Sequence, residues 1–232
     1  MIANKKEFGG GVVMMIGFWI VFAILLSPIF PGQEKKVNML DYMDSMYNSI
    51  SKKSAYYIPE IVKKADNLKG ESFSVEIKVE DKKSAPRIAT MLRTSGATVE
   101  EGEDKLKVRG DLGAILIAAM ADTELAYNNN GEALQARHGA DAKQVMFDWH
   151  NTLSAMEKSF TKQEKFAQST TLNKAKTKAI ETAFNYYGIE AQSIKDKAIL
   201  VIASLVGYVI YTMWFGFAIL FMFEGWGLKL EH

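Results

Sequence analysis

His138, Asp141, Asp148 and His150 are the nearest approach to a set of metal-ligating side chains in this 232-residue sequence. Their spacing argues against a shared ion. His138 precedes the helix expected to begin at Asp141, and Asp148 and His150, two apart on that helix, point to different faces. Solvated side chains flanking Trp149 are the better reading. No activated nucleophile is visible either: the sequence has no G-x-S-x-G, no H-E-x-x-H and no phosphate-binding glycine loop. Cysteine is absent, which removes disulfides, covalent c-type haem and Cys-ligated iron–sulfur clusters. The expectation is a protein that is not an enzyme and carries no cofactor and no metal. Asn128-Asn129-Asn130-Gly131 reads as a helix-ending polar turn rather than a metal or sugar loop.

The segment that would position these histidines and aspartates is helical, from 141 to 187. Trp149, Leu153, Met156 and Phe160, followed by Gln163 and Ala167, recur at spacings of four and three, which is a heptad-like seam. A second phase, Leu172, Ala175, Ala179, Ala183 and Tyr187, follows the Thr170-Thr171 pair, a candidate kink or register shift. As one continuous helix the segment would reach ~70 Å at 1.5 Å per residue. Such a length needs partners, either the helices expected between Leu40 and Leu68 or the same helix in other copies.

Before it comes a small α/β unit at residues 72–128. Phe73, Val75, Ile77 and Val79 alternate with polar residues and predict a strand. Ser84 opens a helix carrying Ile88, Ala89, Met91 and Leu92 to Gly96. Residues 97–100 and 105–109 form a hairpin around 101–104, and Asp111 starts a helix whose face holds Ile115, Leu116, Ala119, Met120 and Leu125. The order β-α-β-β-α suits a three-stranded sheet with helices on one face. Upstream, Leu40, Met43, Tyr47 and Ile50 mark one helix, and Pro59, Ile61, Val62, Ala65 and Leu68 mark another that stops at Gly70.

Flanking all this are two stretches without a charged residue, 12–30 and 198–223. About 20 helical residues cross the ~30 Å hydrocarbon layer, so the first fits and the second fits with tilt or overhang. The sequence therefore predicts an integral membrane protein with two transmembrane helices bracketing an extracytoplasmic α+β domain at 31–197. That domain holds 25 Lys and Arg against 24 Asp and Glu, a balance that offers nothing to nucleic acid. Lys5, Lys6 and Lys229 flank the spans, and by the positive-inside tendency residues 1–11 and 224–232 are cytoplasmic and the domain periplasmic, in a bacterial inner membrane. The first apolar run exceeds a signal-peptide core, and Ser27-Pro28-Ile29-Phe30-Pro31 lacks an A-x-A site, so it is read as an anchor. Leu230-Glu231-His232 has the form of a tag remnant and is set aside.

Within the spans, Ala203 and Gly207 form a small-xxx-small pair for close helix contact, with Gly216, Ala218 and Gly17 at other heights. Trp226 suits an interface, whereas Tyr208 and Tyr211 lie deeper and need partners for their hydroxyls, on another helix or, with Phe215, along a pore. The spans contain no Asp, Glu, Lys or His, which argues against pumps and a bis-His haem more than against an apolar-gated channel. Tyr56-Tyr57-Ile58-Pro59 and residues 184–189 are aromatic clusters for core packing, or for contact with headgroups or a partner. Function is expected to be structural: a membrane-anchored assembly or scaffold protein, in contact with membrane lipid, forming a homo-oligomer through Trp149, Leu153, Met156, Phe160, Ala203 and Gly207, with a possible protein partner. An oligomeric channel lined by the second span and a cofactor-free accessory subunit of a transport or respiratory complex are the alternatives.

Overall fold

Residues 2–32, 35–79, 84–102 and 105–228 are described by the structure, a computed structural model. Lys229, residues 230–232 and, from the expected turn at 101–104, Glu103 and Asp104 lie outside them. Along the chain run α1 (Lys5–Leu26), α2 (Met39–Ser54), α3 (Ile58–Asp66), β1 (Ser72–Lys78), α4 (Ala85–Thr94), β2 (Thr98–Glu101), β3 (Lys105–Asp111), α5 (Leu112–Tyr127), α6 (Gly131–His138), α7 (Ala142–Lys162), α8 (Phe166–Lys174), a π-helical segment (Ala175–Ile180), α9 (Glu181–Asn185) and α10 (Ile194–Trp226). They fall into two compact units, Ser51–Ala191 and Met1–Ile50 with Gln192–His232.

Alternation makes the sheet of the first unit. β1 buries Phe73, Val75 and Ile77 and exposes the residues between them, as a strand with one wet face must. β3 lies between β1 and β2, antiparallel to both. The register sets Val75, Val108 and Val99 in one row across the buried face, with Glu76, Lys107 and Glu100 in the outward row. α4, α5 and α7 pack on the buried side. Asp111 ends β3 and caps α5, accepting the Ala114 and Gly70 amides, and those bonds hold its carboxyl below the usual aspartate range.

The expected long helix is corrected. It stops at Lys162 and reverses: the Lys165 amide donates to Phe160 O and the Glu164 amide to Thr161 O, with Glu164 at φ 59°. This is the double bond pattern of a left-handed helix cap, normally a glycine position. Lys162-Gln163-Glu164-Lys165 contains neither Gly nor Pro, so composition carried no stop signal. The two phases of the seam consequently become each other's complement. Trp149, Leu153, Met156 and Phe160 on α7 and Leu172, Ala175, Ala179 and Ala183 after the reversal are all buried in one core. The Thr170-Thr171 pair stays inside α8, and the irregularity comes later, as the π-helical segment.

One helix was not foreseen. α6 has a single buried side chain, Leu134, and exists between two strong punctuation marks: Asn130, whose side chain accepts the Ala133 amide, and Gly139 at φ 66°.

The second unit contains the two helices long and apolar enough to cross a membrane. They run antiparallel and in contact. The first helix lies further toward the N-terminus than 12–30, starting at Lys5 behind an Asn4 cap and ending before Pro28, because a residue preceding proline disfavours helix. Phe30 then pairs with Val37 as an isolated antiparallel bridge. α10 overruns 198–223 at both ends. Backbone approach is closest at two glycines: a methyl group on Gly11 would fall 2.9 Å from Ala218 O, and one on Gly225 2.3 Å from the Phe8 nitrogen. Only hydrogen fits there.

Candidate functional site

Three polar clusters lie within the unit Ser51–Ala191, and each is closed on itself. Asp122 faces inward from α5 with 2% exposure. Trp149 Nε1 donates to its Oδ2 at 2.9 Å, His138 Nε2 lies 2.7 Å from the same oxygen, and Arg137 bonds Oδ1. Burial pushes the Asp122 carboxyl up, but the His138 and Trp149 bonds, attraction to His138 and the Arg137 bond outweigh it and hold the group below its ordinary value. α6 exists in this position to deliver Arg137 and His138 from its last turn.

Lys52, at the end of α2, is also 2% exposed. Its ammonium donates to Ile189 O at 2.6 Å, and to Tyr186 O and Asn129 Oδ1 at 3.2 Å each. The Tyr127 ring lies 5.0 Å from Nζ, and the Tyr127 hydroxyl donates to Lys52 O. Burial pushes the Lys52 pKa down, opposed by the Glu190 carboxylate. Asn129 is held at φ 59°, the left-handed cap of α5, with the Asn130 amide on Leu125 O. Its side chain also receives the Gly188 amide at 2.8 Å and donates to Ile189 O.

Asp148, 3% exposed, accepts Arg87 Nε at 2.9 Å, Arg87 Nη2 at 3.3 Å and Gln144 Nε2 at 3.0 Å. The four candidate ligands therefore go separate ways: His138 to Asp122, Asp148 to Arg87, Asp141 to the Gln144 amide as the α7 cap, and His150 to Glu181. Among the described residues no three His, Cys, Asp or Glu side chains gather as a metal site. Among them, too, every buried side-chain nitrogen and oxygen has a hydrogen-bond partner.

The seam residues Trp149, Leu153, Met156 and Phe160 are each 0% exposed, so the expectation that they face other copies is corrected: their own chain covers them. In the other unit, Tyr211 donates to Phe18 O at 3.4 Å, Trp214 Nε1 to Met14 O at 3.1 Å, and the Phe18 ring sits 4.3 Å from that of Tyr211 and 4.8 Å from that of Phe215. Tyr211 and Phe215 are thus contacts to α1. Tyr208 separates from them, 69% exposed. Ala203 and Gly207 are exposed, and a methyl on Gly207 would meet open space. The aromatic clusters divide as well. Tyr56 donates to both Glu124 oxygens at 2.8 Å, its pKa pushed up to about 12 by burial and by that carboxylate, and Lys178 lies 5.8 Å from the Tyr57 ring.

Asp122 and Lys52 were missed from sequence. Asp122 had a signal: it falls at the buried spacing of Ala119 and Ala126 on a strongly apolar helix. Lys52 had none, since Lys52-Lys53 reads as an ordinary basic last turn.

Comparison with protein-family models, curated proteins and solved structures finds no match for this chain.

Proposed function

We propose that this chain is a membrane-anchored, non-enzymatic assembly protein: α1 and α10 cross a bacterial inner membrane as an antiparallel pair, both termini cytoplasmic, and hold an extracytoplasmic α+β domain. The observation that carries the reading is the closure of the domain's polar chemistry. Asp122, Lys52 and Asp148 are each saturated by partners of the same chain, which supports a role as folding ties rather than as reacting groups. Work done by such a domain falls to its surface.

The route to self-association moves from the α7 seam to the membrane. Ile199, Ile202, Val206, Ile210 and Met213 on α10 are 84%, 61%, 51%, 60% and 53% exposed, beside the unused Ala203 and Gly207. An apolar helix face of this kind takes lipid or another helix, and small residues permit the closer approach. A channel along α10 has lost two of its three expected lining residues to α1. Purification in mild detergent or native nanodiscs with mass photometry tests the reading. Particles of two or more copies, or of this chain with other proteins at fixed stoichiometry, are expected. A lone monomer at every concentration would overturn it, as would turnover of a substrate abolished by changing Asp122 or His138 in a chain that remains folded.

A further inference from the structure

The acceptors around Lys52 form an unusual set. Two backbone carbonyls, Tyr186 O and Ile189 O, and Asn129 Oδ1 converge on one nitrogen at 2.6–3.2 Å beside the face of Tyr127. Every group hydrogen-bonded to Nζ is an acceptor. A neutral amine would aim its lone pair at one of these oxygens, whereas an ammonium supplies three protons for three acceptors. The ring face adds attraction for a cation. The oxygens are held independently of the lysine: Asn129 by the α5 cap and by the Gly188 amide, Ile189 O by Asn129 Nδ2, and Asn129 Nδ2 further by Glu190 Oε1 at 3.1 Å.

We propose that Tyr186 O, Ile189 O, Asn129 Oδ1 and the Tyr127 ring constitute an ammonium-binding site, which the chain fills with its own Lys52 as a latch. Lys52 stands one residue inside the first residue of its unit and Tyr186 to Glu190 stand just before the last. Filling the site therefore ties the incoming and outgoing segments of the domain together, and emptying it removes the Lys52 tie and leaves residues 186–190 held by the weaker Asn129 bonds. The ligand class is a primary ammonium, for which alkali cations and quaternary amines are poor substitutes: the former bring no N–H donors, and the latter add bulk.

Vacating the site tests this on the full chain in detergent or nanodiscs. Lys52→Ala removes three methylenes and the ammonium, the outline of n-propylammonium. Hydrogen exchange of peptides covering 185–191 should rise about tenfold in the variant, as expected for a lost local tie. n-Propylammonium at roughly 0.1 M, a level suited to a weak site, should restore protection, and tetramethylammonium or sodium at equal ionic strength should not. Unchanged exchange in the variant, or equal rescue by all three cations, overturns the proposal. A variant that folds only with n-propylammonium present supports it. Acylation of the wild-type chain gives a second reading independent of the variant's folding: Lys52 should resist a reagent that modifies its exposed neighbour Lys53, and equal reaction at both overturns the latch.

Discussion

Trp149 and Asp122 meet through an indole N–H to carboxylate bond of 2.9 Å, and Arg137 and His138 close the same carboxylate from α6. The four side chains join α5, α6 and α7 at one point. An ion buried this way contributes through its partners, and removing its charge leaves theirs unanswered in a dry site.

Asp122→Asn should therefore destabilise the chain by about 3 kcal/mol, near the lower end for breaking a buried charge pair. The pH profile carries the sign. The folded-state pKa of Asp122 lies below its ordinary value, so its contribution is complete above the unfolded value near 3.9 and is lost as pH falls through the lower folded value. Thermal melting from neutral to acid pH should show wild type losing stability more steeply than the variant below about pH 4. Parallel curves would show that Asp122 is not a source of acid sensitivity.

Phe160→Ala separates core from seam. A phenylalanine with no exposure, packed with its ring centroid 5.7 Å from that of Phe73, should cost about 3–5 kcal/mol when truncated. The particle mass of the folded fraction should stay unchanged. A shift to smaller particles at unaltered melting temperature would restore α7 as an interface between copies.

Tyr211→Phe and Tyr208→Phe form a matched pair. The first removes a donor to Phe18 O and should weaken the α1–α10 pair by about 0.6 kcal/mol, the usual worth of a polar contact between membrane helices. The second changes an exposed side chain and should leave unfolding in detergent unaltered. Neither should change solute flux in liposomes if α10 lines no pore. Flux that responds to Tyr208 while stability does not would revive the channel.

Legibility followed the strength of local signals. The sheet and its order of elements were readable because alternation at Phe73, Val75 and Ile77 and a cap at Asp111 are local chemistry. The two apolar helices were readable from the length of their uncharged runs. The reversal at Glu164 was not, because a glutamate occupies a left-handed cap position that glycine or asparagine normally announces, and the heptad spacing then looked unbroken. Once the chain turns back there, a seam that reads as intermolecular becomes intramolecular. The candidate site was the least legible part. Lys52 and Asn129 lie 77 positions apart, and no spacing rule links a basic last turn to a carbonyl nest formed by a distant loop.

Placement of α1 and α10 in lipid is what everything functional here rests on, and cysteine labelling tests it directly, since the chain has no cysteine of its own. Ile20 and Ile210 are 56% and 60% exposed on the helix pair, so the chain's own fold does not cover them, and lipid or a neighbouring helix within the bilayer would have to shield them. In intact membranes, Ile20→Cys and Ile210→Cys should resist a membrane-impermeant maleimide, while Cys at the exposed Glu100 or Lys158 reacts once the reagent reaches that side. After solubilisation and denaturation all four should label. Reaction at positions 20 and 210 in intact membranes as fast as at 100 and 158 would contradict a membrane anchor.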